Sequence, residues 1–357
     1  MHGVWFVVAS GRFTSFRQVS TSHRKNEQSQ CPRQYDTHHE EMSDIQFYLL
    51  EVDKNKAEAE TIAKQSARKL QDKQLKLIDL IGSLEEYINN KDDGAIRAKT
   101  VSYLADVLEN VPLKVLSGQE RRLLCDFILG RLEGDVEGVG ASSRALIALE
   151  ERGKWDVETA QKVARAFLDH TNPLKQFKLQ TERYAITQLF DLLLAKYRSA
   201  LKSLHEDDPM FMSTFVSYFD GEKDPRNLMI VFSILQVPMM EWDIQANAQD
   251  LFEAVFNYFP ITFKPPPDDP YGITAQDLKN RLRDCIAASS DFAPYAFPAL
   301  LDKLDSSSMN TKVCSFVPCY VTSANCSRET LYRQCKHALN SMSLRRSIYI
   351  QSRYGTH

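Results

Sequence analysis

The chain has 357 residues, of which 43% are hydrophobic, so it holds enough apolar material for a substantial core. Its 44 basic and 47 acidic side chains give a net charge of -3, which argues against a dedicated phosphate-backbone binder. Residues 42–312 are more acidic than the whole, with 33 basic and 42 acidic residues and a net charge of -9. Direct nucleic-acid binding is therefore not expected.

The cysteines indicate the redox compartment of the protein, and the longest apolar run near the start bears on membrane insertion and secretion. Only Cys125 and Cys285 lie within residues 42–312, and no closely spaced even set suggests disulfides, which indicates a reducing compartment. The apolar run from Val4 to Ala9 is far shorter than the roughly 20 residues of a membrane span, and no basic residue precedes it as in a secretory signal. Neither a membrane span nor secretion is indicated.

The first 41 residues are Ser-rich, with four basic residues before the first acidic one, Glu27: Arg12, Arg17, Arg24 and Lys25. This composition superficially fits a mitochondrial transit peptide. The alternatives are a disordered leader or an upstream stretch from a mis-assigned start, because Met42 opens the first convincingly structured segment. We predict a disordered leader over residues 1–41.

From about Ile45 to Lys312 almost every pattern indicates helix, and strand-like alternation is nearly absent. Apolar residues recur at i, i+3/i+4 spacing. The three clearest stripes are Leu77, Leu80, Ile81, Leu84 and Ile88; Leu104, Val107, Leu108 and Val111; and Leu251, Phe252, Val255, Phe256 and Phe259.

Helix starts and stops agree with these stripes. Ser117 lies three residues before Glu120, and Thr274 three before Asp277, a spacing that predicts N-terminal capping boxes. Breaks are predicted at Pro112, Gly153, Pro173, Pro209, Pro225, Pro260 and Gly272. The result is a series of helices of about 12 to 25 residues with short connections.

Two such helices with their turns occupy about forty residues, the period of HEAT and armadillo units. The prediction is therefore an all-α, HEAT/ARM-type α-solenoid over residues 42–312, with disordered or irregular ends. A compact helical bundle is the alternative, which unequal helix lengths and the lack of a heptad period disfavour. An unstacked last repeat would expose apolar residues and favour aggregation: Phe297, Leu300 and Leu301.

The acidic segment from Gly134 to Gly140 lacks a preceding strand and a following Gly-Lys-Ser/Thr, so a flexible turn is predicted there rather than a phosphate site. His170 and His205 stand singly near helix ends and are predicted to be structural. No recognised catalytic motif occurs in the sequence. We predict a non-enzymatic protein without catalytic residues or cofactor.

The segment from Val313 to Cys326 lacks a helical stripe, and residues 313–357 are predicted to be an irregular, disordered tail. We hypothesise that these residues are translated from a retained intron or from frame-shifted sequence. The tail contains potential metal ligands, but no Cys-x-x-Cys pair that would offer two thiolates from one loop, so no metal site is predicted. These residues are Cys314, Cys319, Cys326, Cys335 and His337.

Two strings are unusually specific. The first, Gly221-Glu-Lys-Asp-Pro-Arg-Asn-Leu228, predicts a turn in which glycine tolerates positive φ and a helix begins near Arg226. The second is Tyr258-Phe-Pro-Ile-Thr-Phe-Lys-Pro-Pro-Pro-Asp-Asp-Pro-Tyr271. Its part from Phe263 to Tyr271 predicts a stiff polyproline II loop with aromatic ends packed on flanking helices. Such a loop either braces two repeats or presents a binding edge. The predicted exposed, candidate partner-contact residues are Glu222, Lys223, Asp224, Arg226, Lys264, Asp268 and Asp269. A solvated corner without a partner is the alternative for the first four.

Both strings resemble the amino-terminal region of the Mms-nineteen family, the large HEAT-repeat scaffolds of cytosolic iron-sulfur protein assembly that are linked to nucleotide excision repair. Further segments follow in the family's order and spacing: Ile273-Thr-Ala-Gln-Asp-Leu-Lys279, Leu282-Arg283, Phe292-Ala293 and Leu300-Leu-Asp-Lys-Leu304. The resemblance is strong from about Gly221 to Lys312 and weaker but collinear from Met42 to about Phe219.

The resemblance implies a scaffold in cytoplasm and nucleus that binds the iron-sulfur targeting-complex subunits together with client helicases and polymerases of repair, replication and transcription. Family members are far longer, and their carboxy-terminal repeats, associated with docking the other subunits, have no counterpart here. The alternatives are a nuclear-transport-type HEAT adaptor, a mitochondrial helical protein and an unrecognised enzyme.

Overall fold

A computed structural model describes residues 42–133, 135–267 and 271–304 of the chain. These described residues form fourteen α-helices and three short 3-10 helices, with no strand among them. The all-α prediction is confirmed. The chain divides into two compact units, Met1–Asp135 and Val136–His357. The predicted disordered leader, residues 1–41, and irregular tail, residues 313–357, lie outside the described residues.

The first unit contains five described helices. They are α1 (Asp44–Glu51), α2 (Lys56–Gln71), α3 (Leu77–Ile88), α4 (Gly94–Asn110) and α5 (Gly118–Leu132). Helices α1 and α2 pack against each other and against α4, and α3 packs on α4. The unit is therefore built around α4, whose predicted apolar stripe is fully buried.

A buried polar chain joins α1, α2 and α4. Tyr48 packs on Tyr103 with ring centroids 5.0 Å apart. The Tyr103 hydroxyl donates to Ser66 Oγ at 2.8 Å, and Ser66 donates to Asp44 Oδ2 at 2.7 Å. Burial raises the pKa of Tyr103 to about 12. These bonds satisfy polar groups that would otherwise destabilise the core.

The second unit contains nine described α-helices. They are α6 (Val139–Glu151), α7 (Val157–His170), α8 (Gln180–Lys196), α9 (Arg198–Asp207), α10 (Phe211–Phe219), α11 (Pro225–Glu241), α12 (Ala248–Phe256), α13 (Ala275–Ile286) and α14 (Ala293–Leu304). Its 3-10 helices are Leu174–Gln176, Gln245–Asn247 and Ser290–Phe292.

The helices of the second unit stack in two rows, as in an α-solenoid. In one row α8 packs between α6 and α11, and α11 packs on α13. The other row contains α7, α9, α10, α12 and α14 in sequential contact. Phe190 of α8 lies between the rows, with the rings of Phe167, Phe215, Tyr218 and Phe219 at 5.0 to 6.1 Å. Each helix pair thus buries its apolar face against the next pair.

Polar contacts between neighbouring repeats follow the predicted period of about forty residues. Glu150 pairs with Lys196 at 2.5 Å across 46 positions, and Lys175 with Asp220 at 3.1 Å across 45. Arg183 pairs with Glu222 at 2.9 Å across 39. Equivalent positions of successive repeats therefore lie side by side.

The predicted stripes lie on α3, α4 and the core face of α12, except that Val111 and Phe259 follow the ends of α4 and α12. Both predicted capping boxes are present. The predicted helix lengths are wrong for α1, α9, α10 and α12, which have eight to ten residues. One cause is visible where α8 ends, because the Tyr197 hydroxyl donates to Glu150 at 2.8 Å and accepts the Trp155 N–H at 2.7 Å. These bonds hold the chain in a bend before α9 starts.

Two local expectations are corrected. The flexible turn predicted to reach Gly140 ends earlier, because Gly138 adopts φ 76° and α6 begins at Val139. At the other end of the unit, the exposed apolar face predicted for the last repeat is wrong for Phe297, which is 5% exposed, and for Leu300, which is fully buried. The Leu301 side chain lies outside the described residues.

Candidate functional site

The two specific strings meet at one corner of the second unit, where loops between successive repeats lie beside each other. Gly221 adopts φ 85°, the positive value expected of a glycine turn. Its N–H donates to the Tyr258 hydroxyl at 3.1 Å, and burial raises the Tyr258 pKa. The first string is thus bonded to the start of the second. We call this region, residues 220–227 with Arg183, Tyr184 and Tyr271, the repeat corner.

Asp224 and Pro225 start α11 at this corner. Asp224 Oδ1 accepts the backbone N–H groups of Arg226 at 3.0 Å and Asn227 at 3.1 Å. Pro225 occupies the first helical turn, where a missing N–H costs nothing. Asp224 is therefore a helix cap, and the predicted helix start near Arg226 is confirmed. Asp224 and Arg226 are half-buried, so the exposure predicted for both is wrong.

Glu222 is buried, with 1% exposure, so the exposed position predicted for it is wrong. Its carboxylate accepts from Arg183 Nε at 2.9 Å and Asn227 Nδ2 at 3.3 Å. It also accepts the backbone N–H groups of Lys223 and Asp224, both at 2.8 Å. The loop folds back onto α8 because Arg183 compensates the buried charge. Glu222 anchors the corner and is not available to a partner.

Arg226 lies between two tyrosine rings. Its guanidinium carbon is 3.4 Å from the Tyr184 ring centroid and 4.3 Å from that of Tyr271. Tyr184 belongs to α8 and Tyr271 ends the proline-rich loop, so this stack joins two repeats and the loop. Tyr271, one aromatic end of the loop, therefore contacts α11, and packing of the loop ends on the flanking helices α12 and α13 stays a prediction. Tyr271 is itself 52% exposed.

The remaining candidate contacts divide by position. Lys223 and Lys264 are exposed to solvent. Asp268 and Asp269 lie outside the described residues, and polyproline II geometry in the loop stays a prediction. Sequence reasoning missed Arg183 and Tyr184, because nothing in their local pattern indicates contact with a string some forty residues later.

Within the described segments, no three His, Cys, Asp or Glu side chains are grouped so that they could hold a metal ion. The cysteine-rich candidates in the tail lie outside those segments.

Cys285 is buried, donates to the Phe232 carbonyl at 3.3 Å, and has its pKa raised to about 12 by burial. His205 Nε2 lies 2.7 Å from the Asp243 carbonyl and its ring stacks on Trp242, as a structural role requires.

No helix in the described part of the chain combines the length and apolar character needed to cross a membrane.

The stacked helix pairs and the bonded corner define an α-helical repeat protein. A family model described as Dos2-interacting transcription regulator of RNA-Pol-II, MMS19_N, matches residues 81–344. The chain therefore belongs to the MMS19 family, as its resemblance to the amino-terminal region implied.

Three relatives illustrate the match. DNA repair/transcription protein mms19 of Schizosaccharomyces pombe is 30% identical over 270 residues, covering 75% of this chain and 26% of that protein. The MMS19 nucleotide excision repair protein homolog of Dictyostelium discoideum is 30% identical over 240 residues, covering 66% and 21%. The human MMS19 nucleotide excision repair protein homolog is 36% identical over 137 residues, covering 38% and 13%. The chain thus spans about a quarter of the first relative and about a fifth of the second.

Proposed function

We propose that this chain is a non-enzymatic protein-binding scaffold that acts in DNA repair and transcription. Its membership in the MMS19 family, carried by the match over residues 81–344, supports the proposal. The names of the relatives refer to DNA repair, transcription and nucleotide excision repair. Stacked helix pairs are suited to the role because they present extended surfaces for other proteins.

The proposal has a finer form, based on the family resemblance. The chain recruits apoprotein clients, such as helicases and polymerases, to the cytosolic iron-sulfur targeting complex in cytoplasm and nucleus. One surface holds the client while another holds the cluster-delivering subunits, so the two come together at high effective concentration. The scaffold itself binds no cluster and needs no cofactor.

Binding of the purified 357-residue chain to an iron-sulfur helicase tests this function. The helicase is presented without its cluster and, separately, with the cluster reconstituted, and affinities are measured by biolayer interferometry. We expect stronger binding to the apoprotein, and binding of the targeting-complex subunits in a parallel experiment. Absence of both interactions would contradict the proposal.

The same assay separates the scaffold from a nuclear-transport-type adaptor. Such an adaptor retains cargo according to the nucleotide state of a transport GTPase. Adding that GTPase loaded with GTP or with GDP is expected to leave client binding unchanged. A strong difference between the two nucleotide states would favour the adaptor.

A further inference from the structure

Two tyrosine rings contact the guanidinium of Arg226, and its donors form no hydrogen bond within the part of the chain that the structure describes. The ring centroids of Tyr184 and Tyr271 lie 3.4 Å and 4.3 Å from its Cζ atom. Its side chain makes no hydrogen bond to a described residue, whereas Arg183 nearby donates to Glu222 and to the carbonyls of Phe177 and Lys178. Stacking leaves the edge of a guanidinium open, and that edge is a planar fork matching a carboxylate.

Carboxylates of the repeat corner are already occupied. Asp220 pairs with Lys175, Glu222 pairs with Arg183, and Asp224 caps α11. By contrast, Arg226 and the exposed Lys223 of the corner have no ion pair with any described residue, and neither has the exposed Lys178, whose carbonyl accepts from Arg183. The corner therefore presents cationic groups on an otherwise acidic body, where residues 42–312 carry a net charge of -9.

The surface next to Arg226 on α11 is apolar. Met229 and Ile230 follow at i+3 and i+4, which places them on the same helix face, and both are half-buried. Further along, Met240 is 63% exposed. A carboxylate bound to Arg226 would thus have apolar surface one helical turn away.

We infer that the Arg226 clamp, the guanidinium between Tyr184 and Tyr271, binds a carboxylate from an acidic segment of a partner protein, with an apolar side chain of that segment on Met229 and Ile230. This inference rests on the proposed scaffold function and specifies the chemistry of the partner. A carboxylate fits better than a phosphate, because phosphate recognition generally uses clusters of arginines and the clamp offers one. The acidic body also repels a dianion more strongly than a monoanion.

The test uses the full chain and a defined probe. The probe is a blocked peptide of repeated glutamate-glutamate-leucine triplets, and its matched control replaces each glutamate by glutamine. Binding is followed by the 15Nε–1Hε resonance of Arg226, assigned by its loss in Arg226→Lys, and by isothermal titration. We expect a shifted Arg226 resonance with the acidic peptide and none with the control.

Substitutions then distinguish specific binding of the peptide at the clamp from non-specific electrostatic attraction to the protein. Arg226→Gln should weaken peptide binding about tenfold or more, since bonds to charged groups are the strong ones. Arg226→Lys should recover little, because lysine lacks the fork and the stacking plane. Tyr271→Phe should keep binding and Tyr271→Leu should weaken it. Lys154→Gln, an exposed lysine between α6 and α7 and outside the corner, is the matched control and should bind as the parent does.

Several results would overturn the inference. These are equal binding of the glutamine peptide, unchanged affinity in both Arg226 variants, or tighter binding of a phosphoserine peptide. Circular dichroism and thermal melting establish that each variant is folded before it is scored. Peptide binding without any client binding would refute the scaffold proposal alone, and client binding without peptide binding would refute the clamp alone.

Discussion

At the repeat corner, the Glu222 carboxylate receives four hydrogen bonds, two from backbone N–H groups and two from the side chains of Arg183 and Asn227. A buried carboxylate is tolerated only when charge and hydrogen bonds compensate its desolvation. Here the compensation spans two repeats, because Arg183 lies on α8. Glu222 therefore links the geometry of the clamp loop to that of the helix carrying Tyr184.

Replacing Glu222 by glutamine should destabilise the second unit by about 3 kcal/mol, because the substitution leaves the Arg183 charge buried without its partner. Urea denaturation of the purified chain, followed by circular dichroism, measures the loss. Lys223→Gln, one position along and exposed, is the control and should change the free energy of unfolding by about 0.5 kcal/mol at most. Equal stability of the two variants would mean that the pair is not structurally important.

Unlike the carboxylate of Glu222, the carboxylate of Glu182 is destabilised by its surroundings. Burial raises its pKa, and the nearby Glu137 carboxylate raises it further. A folded-state pKa above the unfolded value means that ionisation destabilises the fold, so the penalty is present at neutral pH and disappears as the pH falls below the usual carboxyl range.

Glu182→Gln should therefore raise the melting temperature at pH 7 and have a smaller effect near pH 4. The shape of the side chain is kept, so packing on α6 is unchanged. Differential scanning fluorimetry of both proteins across this pH range gives the comparison. A benefit that stays constant with pH would show that charge is not its cause.

Helix packing within the second unit depends on one close approach. Helices α6 and α8 meet at Gly140, where a Cβ atom would lie 2.8 Å from the Cα of Glu182. Backbone cannot move away as the end of a side chain can, so this contact requires glycine.

Gly140→Ala should cost about 1 to 3 kcal/mol through overpacking. Gly82→Ala in α3 is the matched control, since nothing lies within 4 Å of its added Cβ atom. That change should stabilise the first unit by up to about 1 kcal/mol through helix propensity. Thermal melts of the two variants are expected to move in opposite directions, and a neutral Gly140→Ala would refute the close approach.

Helices could be predicted from sequence because their signals are local. The stripe of Leu104, Val107 and Leu108 and the cap of Thr274 on Asp277 involve neighbours within a few positions. The contacts of the repeat corner could not be predicted from sequence, because they join residues that are about one repeat apart. Glu222 has the sequence context of an exposed turn, and only Arg183 on another helix accounts for its burial.

The same limit applies to the clamp. Arg226 and Tyr271 both lie within strings that had been singled out, but their contact joins positions 45 apart, and Tyr184 lies outside both strings. Sequence reasoning placed Arg226 at an inter-helix corner, but it did not identify Tyr184 and Tyr271 as the residues that Arg226 contacts. Charge type alone does not distinguish a solvated arginine from a stacked one.

At the scale of the whole molecule, the distribution of charge bears on whether the chain itself binds DNA. Residues 42–312 have a net charge of -9, while residues 313–357 carry six basic side chains and one acidic one. Binding to nucleic acid depends mainly on cations that neutralise phosphates and release counterions. The acidic central part opposes this, so we expect the proposed role in DNA repair to depend on protein partners.

Fluorescence anisotropy with labelled single-stranded and duplex DNA of about 20 nucleotides tests this expectation. At roughly 150 mM salt, binding should be no tighter than the weak non-specific range of about 100 μM to 1 μM, and it should fall steeply as salt rises. Arg345→Gln with Arg346→Gln, placed in the basic stretch, should remove much of any residual binding at low salt. A dissociation constant well below about 1 μM at the higher salt, insensitive to these substitutions, would locate a nucleic-acid surface within the acidic part and contradict a purely protein-binding scaffold.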